Sequence, residues 1–267
     1  MISMYWIYDI PNWELFLLML AVFASVSLGG LFLTRPLVRR IVGGSDKYND
    51  VTNYYFTAIG VLYGLTLGLI AVGTWQNFND VDTKVAKEAN SLGALYRDLD
   101  GYPAGLRRET ENLLRDYAKV VIEKEWPAHR QGAVLDAGDV ILDDLENKVM
   151  AFEPSREVEK IAHDEVIKSL SELVGNRGYR VQSVNEGLPG VLWTVVLIGA
   201  VINIGITYIF WLDNLGVHSL LVVALSSTLA MLIFLTAAMD NPFRGEFSVS
   251  SEAFQYVLDH VMTKAGN

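Results

Sequence analysis

Four long stretches of this chain contain no Lys, Arg, Asp or Glu, and they constrain its fold more than any other feature. They cover residues 15–34, 51–79, 187–212 and 214–239. Each is long enough to cross a hydrocarbon core of roughly 30 Å as a helix that rises 1.5 Å per residue. Trp and Tyr cluster near their ends, as is typical of side chains at the headgroup level of a bilayer. The sequence therefore predicts four transmembrane helices.

Charged residues are concentrated in the segment between the second and third stretches, residues 80–186. Apolar residues recur there at steps of three and four, which is typical of amphipathic helices. We predict that one helix stops at Gly101 and the next at Trp126, where Pro127 follows. A third should cover about residues 137–150, and a fourth should begin after Ser155 as its N-cap.

These patterns predict an all-α membrane protein with four transmembrane helices in a two-plus-two arrangement. A soluble helical domain is inserted between the second and third. The predicted domains are 1–79 (an N-terminal segment and transmembrane helices 1 and 2), 80–186 (the soluble helical domain), 187–239 (transmembrane helices 3 and 4) and 240–267 (a C-terminal tail). No Lys or Arg precedes the first stretch, so we expect it to remain as an anchor.

Composition argues against several functions. The chain has 21 Lys and Arg against 31 Asp and Glu, a net charge of −10, which offers no basic surface for nucleic acid. It has no Cys and only four His, so thiolate chemistry is excluded and little is left for a His-rich metal centre. We found no metalloprotease, phosphate-loop or hydrolase motif. We predict no enzyme activity, no cofactor and no metal.

Loop charge predicts the orientation. The connection between the first two helices carries Arg35, Arg39, Arg40 and Lys47, which favours the cytoplasmic side. The helical domain and both termini would then lie outside a plasma (inner) membrane. Basic residues near the opposite membrane face weaken this asymmetry; they are Lys84, Lys87, Arg177, Arg180 and Arg244.

The second transmembrane helix carries Gly60, Gly64 and Gly68 at four-residue spacing, which forms a narrow stripe without side chains. Such a stripe lets another helix approach closely, within the subunit or between subunits. Alternatively, the helix lines an ion path. The polar groups that it would offer a dehydrated ion are Thr57, Tyr63, Thr66 and Thr74.

Ionisable residues are absent from the centres of all four stretches, which argues against proton-coupled transport. Asn203, the main amide there, is predicted to donate a hydrogen bond between helices; the alternative is an ion ligand. Glu159 and His163 have the i,i+4 spacing of two metal ligands, but we interpret them as a solvated pair. Glu125 and His129 share that spacing, with Pro127 between them.

A dense group of special residues follows the fourth stretch. Asp240, Asn241, Pro242, Phe243 and Gly245 stand within six positions. We predict that the proline ends the helix, that the glycine permits a reversal, and that the two polar residues satisfy backbone groups at the interface. We call residues 240–245 the exit turn.

The chain resembles the bestrophin-like family of bacterial membrane proteins, and more distantly the bestrophin anion channels. The resemblance runs from about residue 30 to residue 254. Its elements are Asn49-Asp50-Val51, Gly60-Val61-Leu62-Tyr63, Glu88-Ala89, Leu95-Tyr96-Arg97, Glu125-Trp126-Pro127, Leu188-Pro189, Leu192-Trp193 and Asp240 to Gly245.

This resemblance implies an oligomeric chloride channel with two pairs of membrane helices around a helical region. Two departures limit what can be transferred. Arg244 interrupts the Asn-Pro-Phe-Gly turn and only Glu246 follows, whereas bestrophins have an acidic run tied to calcium sensing. Their helical region is also cytosolic. Our leading hypothesis is a homo-oligomeric anion channel; the alternative is a non-conducting sensor or scaffold whose helical domain binds a ligand or partner.

Overall fold

The computed structural model is all-helical, with 83% helix, and it describes residues 4–42 and 45–263, in which no strand occurs. Four of its helices, α1, α2, α7 and α8, are long and apolar enough to cross a membrane, which confirms the predicted number. The helices are α1 (Asn12–Val42), α2 (Asn49–Asp98), α3 (Ala104–Val120), α4 (Trp126–Arg130), α5 (Ala137–Met150), α6 (Glu157–Ser183), α7 (Gly190–Thr207), α8 (Leu215–Met239) and α9 (Glu252–Tyr256).

Helix α2 is one continuous element of 50 residues, which corresponds to about 75 Å at 1.5 Å per residue. It contains the second apolar stretch and the first charged helix of the sequence analysis. The change from uncharged to charged sequence at Asn79 and Asp80 contains no Pro and no Gly, so nothing stops the helix there. The domain boundary at residue 79 is a prediction that falls inside this helix.

The chain divides into two compact units. Unit 1 contains the chain up to Gln76, together with Gly187–Asp240 and Gly245–Phe247. Helix α1 packs along α8, and α7 also contacts α8. The buried core of this unit consists of Tyr63, Leu67, Val196, Ala200, Ile204, Leu229 and Ile233.

Unit 2 contains Asn77–Glu186, Asn241–Arg244 and the chain from Ser248 onward. Its core is made by the apolar stripes of α2, α3, α5 and α6. On α3, Leu114 and Tyr117 are completely buried, and Val121 just beyond it is too, as its predicted stripe requires. The short α9 adds Phe254 to the same core.

The predicted stop at Trp126 is wrong. Helix α3 continues into a π-helical turn over Val121–Glu125, and α4 then runs to Arg130. The amide of Trp126 donates to the carbonyl oxygen of Val121, five residues earlier. Pro127 has no amide hydrogen to donate, and it is accommodated at the start of α4 because the first amides of a helix have no partner within it.

Helix α6 begins one residue later than predicted, because Arg156 and not Ser155 is its N-cap. The Glu159 carboxylate accepts hydrogen bonds from the amides of Ser155 and Arg156, at 3.0 and 3.1 Å. This is the backbone half of a capping box, which fixes where the helix starts.

Candidate functional site

The predicted residues of α2 lie on two different faces of that helix. Tyr63 is on the packed face, buried against α7, and its hydroxyl donates to the carbonyl oxygen of Val196 at 2.8 Å. Its ring covers Gly199 and leaves no room there for a β-carbon. Tyr63 is therefore a packing residue within the subunit.

The flank of α2 beside this packed face is not covered by the described part of the chain. Thr57, Gly64 and Thr66 are exposed and Gly68 is half-buried. Among the residues that the structure describes, a β-carbon at Gly64 or at Gly68 would meet no neighbouring atom within 4 Å. We call Thr57, Gly64 and Gly68 the uncovered face of α2.

Gly60 is the member of the glycine stripe that approaches another helix. A β-carbon there would lie 3.6 Å from Oδ1 of Asn203 on α7. The Asn203 amide nitrogen donates to the carbonyl oxygen of Gly199 in its own helix, at 2.8 Å. Contrary to the prediction, this amide donates within its own helix and not between helices, because the carbonyl one turn earlier is within its reach.

Asp240 ties the end of α8 to the start of α7. Its carboxylate accepts hydrogen bonds from the backbone amide of Leu188 and from Nε1 of Trp193, the latter at 3.0 Å. Burial raises the pKa of Asp240, and these two hydrogen bonds offset part of that increase. The carboxylate thus holds two helix ends of unit 1 together.

The remainder of the exit turn reverses the chain. The amide of Arg244 donates to the carbonyl oxygen of Asn241, and the amide of Val249 donates to that of Pro242. Gly245 has a φ of +79°, a left-handed conformation that favours glycine. Helix α8 ends at Met239, three residues before the proline.

Phe243 anchors the exit turn in the core of unit 2. Its side chain is 1% exposed, and its ring lies edge-on to those of Trp126 and His129, with centroids 5.6 and 5.4 Å away. The Trp126 indole nitrogen donates to the carbonyl oxygen of Val249, just after the turn. The turn is therefore fixed by aromatic packing next to a group of buried charges.

Arg180 lies at the centre of those charges and is completely buried. Its Nε donates to Glu88 at 2.6 Å, and its Nη2 donates to Glu88 at 3.1 Å and to Glu125 at 2.9 Å. The third nitrogen, Nη1, lies 3.2 Å from Nδ1 of His129. Every nitrogen of this guanidinium therefore has a partner.

Arg177, one turn earlier on α6, shares one carboxylate with Arg180, that of Glu125. It makes a two-point contact with Glu125, both nitrogen–oxygen distances being 2.8 Å, and its Nε donates to Asp139 at 2.6 Å. The Tyr117 hydroxyl donates to Glu88. We call Glu88, Tyr117, Glu125, His129, Arg177 and Arg180 the arginine–glutamate cluster.

Electrostatics in this cluster keep Glu125 and the two arginines ionised. Burial opposes the charge on Glu125, but hydrogen bonds from Arg177 and the positive charge of Arg180 outweigh it and lower its pKa to about 2. Burial also disfavours the charge on each arginine, yet the carboxylates raise the pKa of both. Burial raises the pKa of Tyr117 well above its ordinary value, so it stays a neutral donor.

His129 is held neutral. Burial and the adjacent Arg180 lower its pKa to about 4. A neutral ring can accept a hydrogen bond from Arg180 at Nδ1, which leaves the proton on Nε2. Within the described part of the chain, this Nε2 is buried without a hydrogen-bond partner, in an environment that includes the ring of Phe243.

Sequence reasoning missed this cluster although its signals were present. Arg177 and Arg180 follow Leu170 and Leu173 at helical spacing and so fall on the buried stripe of α6. Glu88 likewise stands among the apolar residues of α2. Charged residues in an apolar stripe indicate buried pairs. The spacing of residues could not predict that Glu125, in the π turn, is a partner of both arginines.

The structure gives the spaced Glu and His residues partners within the protein. Glu159 caps α6, whereas Nδ1 of His163 lies 2.6 Å from the hydroxyl of Tyr102. Across residues 4–42 and 45–263, no three His, Asp or Glu side chains converge as metal ligands would.

Comparisons with known proteins agree with this architecture. The bacterial bestrophin homologue from Klebsiella pneumoniae, in a form with a leucine-to-threonine mutation, has a TM-score of 0.68 at 12% identity. The match covers 94% of this chain and 99% of that chain. A structure of the same homologue solved by Zn-SAD phasing has a TM-score of 0.66 at 14% identity, with 92% and 98% covered.

These matches define the class: the chain is a helical protein with the bestrophin fold. A family model described as the Bestrophin-like domain matches residues 18–254. The chain therefore belongs to the bestrophin-like family, and the resemblance noted from its motifs is confirmed. A comparison with curated proteins gives no match.

The first prediction concerns the buried charges. Glu125→Gln would leave two buried arginines with one anion fewer, and loss of one partner of a buried ion pair costs about 3–5 kcal/mol. We expect a marked drop in the unfolding temperature of the purified protein in detergent. Asp139→Asn is the control, because its side chain is 54% exposed and pairs with the same Arg177. Equal destabilisation by both variants would contradict this assignment.

The second prediction concerns pH. Unfolded His129 binds a proton near its ordinary pKa of 6.5, whereas the folded state keeps it neutral down to about pH 4. The free energy of unfolding should therefore fall as pH drops from 6.5 to 4.5, by roughly 2–3 kcal/mol. The pKa of Glu125, lowered from 4.5, adds a further loss that begins near the lower end of that window and grows below it.

His129→Asn should flatten this dependence, since an amide oxygen can accept from Arg180 but does not titrate. Chemical denaturation at a series of pH values from 7 to 4.5 would measure it. The control is His260→Asn, at an exposed histidine. A slope that survives in His129→Asn would show that another group is responsible.

Proposed function

We propose that the protein is an integral plasma-membrane protein that assembles into a homo-oligomer and conducts chloride or other small anions along a path bordered by α2. The bestrophin-like family and fold support this proposal. Large apolar side chains exposed on all four long helices support the embedding in lipid. Examples are Leu33, Leu62, Leu69, Val191, Val201 and Leu220.

The observation that carries the proposal is the uncovered face of α2. One face of the helix is packed by Tyr63 and Leu67, whereas Gly64 and Gly68 have no neighbouring atom within 4 Å of a β-carbon position. This helix surface has no side chains of its own and is flanked only by apolar and hydroxyl groups. It could therefore pack closely against a second copy of the chain or form part of the wall of an ion path. An oligomer arranged around this face would provide both.

The distribution of charged residues favours passive ion conduction rather than active transport. The centres of the apolar stretches carry no Asp, Glu, Lys, Arg or His, so they lack the ionisable relay that proton-coupled transport requires. The exit turn lacks an acidic run. The arginine that interrupts it, Arg244, packs its guanidinium over Gly132, where there is no room for a β-carbon. We therefore propose no calcium dependence.

The proposed orientation places residues 80–186 outside the cell, and it predicts a labelling pattern. The cysteine-free chain allows Ser45→Cys and Ser155→Cys, both at exposed positions. A membrane-impermeant maleimide should label Ser155→Cys on intact cells and Ser45→Cys only after permeabilisation. The reverse pattern would place the helical domain in the cytoplasm, as in bestrophins, and would overturn this orientation.

Conduction is tested by chloride efflux from liposomes that contain the purified protein. We expect selective flux from the wild type and its loss in Gly64→Leu, because a leucine would project from the uncovered face, with the oligomer still intact by size-exclusion chromatography. Gly178→Leu is the matched control, since Gly178 is also exposed, has open space around it and lies on α6.

Undiminished flux through an intact Gly64→Leu oligomer would show that α2 does not border the path. Absence of wild-type flux at every pH and voltage tested would instead favour the alternative, a non-conducting sensor or scaffold. Loss of both flux and assembly in Gly64→Leu would assign Gly64 to packing between subunits.

A further inference from the structure

Residues 4–13 form an aromatic segment that is fastened to the end of α8. The segment contains a 3-10 helix, Met4–Asp9, and continues through Pro11 into α1. The Tyr8 hydroxyl donates to the carbonyl oxygen of Ala237 at 3.1 Å, in the last turn of α8. The amide of Asn12 donates to the Glu246 carboxylate at 2.9 Å. These two contacts fix the segment within unit 1.

The depth of the segment follows from the elements that it contacts. It lies where α1 begins and α8 ends, and the start of α7 is at the same place because Leu188 and Trp193 bind Asp240. All three are ends of helices apolar enough to span a membrane. If these helices cross a bilayer, the segment lies at the boundary between hydrocarbon and headgroups.

Two tryptophans of the segment face outward at this level. Trp6 is 51% exposed and Trp13 is 62% exposed. Trp13 starts an exposed apolar face of α1 that continues at Leu17. Indole rings favour the headgroup boundary because they combine a large apolar surface with one N–H donor. The exposed carboxylates of Asp9 and Glu14 keep the segment from entering the hydrocarbon.

The contact with the exit turn needs a small residue. A β-carbon at Gly245 would lie 3.2 Å from Cδ1 of Tyr8, so the Tyr8 ring fits closely over this glycine. The left-handed φ of Gly245 adds a second reason for glycine. The segment therefore packs closely against the turn that follows α8.

We propose that residues 4–13 are an interfacial anchor, in which Trp6 and Trp13 contact the lipid headgroup region and Tyr8 transmits that position to the end of α8. The occupant is the bilayer and not a second copy of the chain, since the outward face continues directly into the exposed apolar face of α1. The inference does not depend on ion conduction.

Fluorescence quenching in liposomes tests the anchor. Trp6→Cys in the full cysteine-free chain would carry an environment-sensitive fluorophore. Lipids brominated close to the headgroup should quench it, and aqueous iodide should quench it only weakly. Val140→Cys on α5, 67% exposed in unit 2, is the control for full access to iodide. Val26→Cys, 65% exposed on α1, is the control for a position within a span.

Iodide quenching at position 6 equal to that of Val140→Cys would overturn the proposal. Quenching by neither reagent would also overturn it, because position 6 would then be covered by another subunit. Should the labelled variant fail to fold, unlabelled Trp6→Phe provides a second measurement, in which the share of tryptophan fluorescence quenched by brominated lipid should decrease.

Tyr8→Phe tests the fastening. It keeps the ring over Gly245 and removes the hydroxyl that binds Ala237. We expect the fluorophore at position 6 to lose quenching by brominated lipid and to gain quenching by iodide. Unchanged quenching in Tyr8→Phe would show that the hydroxyl does not set the depth of the segment.

Discussion

Burial of the Arg180 guanidinium determines how the helices of unit 2 are arranged. A charge removed from water costs several kcal/mol unless every donor is satisfied. The partners come from different elements: Glu88 from α2, Glu125 from the π turn and His129 from α4. All three must converge on one point of α6, so helix packings that separate them would leave an unpaired buried charge. The apolar stripes supply most of the favourable energy, and the cluster selects one arrangement among those that such stripes would allow.

The π turn makes this convergence possible. Its widened turn changes the phase between α3 and α4, so Tyr117 before it and His129 after it both face the cluster. A helix stop at Pro127 would have directed Glu125 and His129 away from each other. The π turn also places Trp126 beside Phe243, which connects the cluster to the exit turn by ring contacts within unit 2.

Charge distribution alone predicts the four apolar helices, because lipid excludes charge strongly enough to leave a mark on composition. Helix boundaries were less predictable. The predicted domain boundary at residue 79 lies where charged residues begin. Helix α2 nevertheless continues past it, because a change in polarity does not stop a helix. The cluster was hidden for another reason: pairing between α2, α6 and a π turn depends on tertiary packing, which local spacing does not encode. The uncovered face of α2 was visible as a glycine stripe, yet only the structure separates Gly60, which faces α7, from Gly64 and Gly68.

The state of the cluster bears on the choice between a channel and a sensor. A sensing domain needs an element with two arrangements of similar free energy, which a ligand can shift. In unit 2, the pKa of Glu125 is lowered to about 2 and both arginines have raised pKa values, so none of these groups changes charge near neutral pH. Moving Arg180 away from Glu88 or Glu125 would separate buried charges, which makes a second arrangement costly. The interior of unit 2 therefore suits a rigid support for the part of α2 that it contains better than a ligand-operated switch.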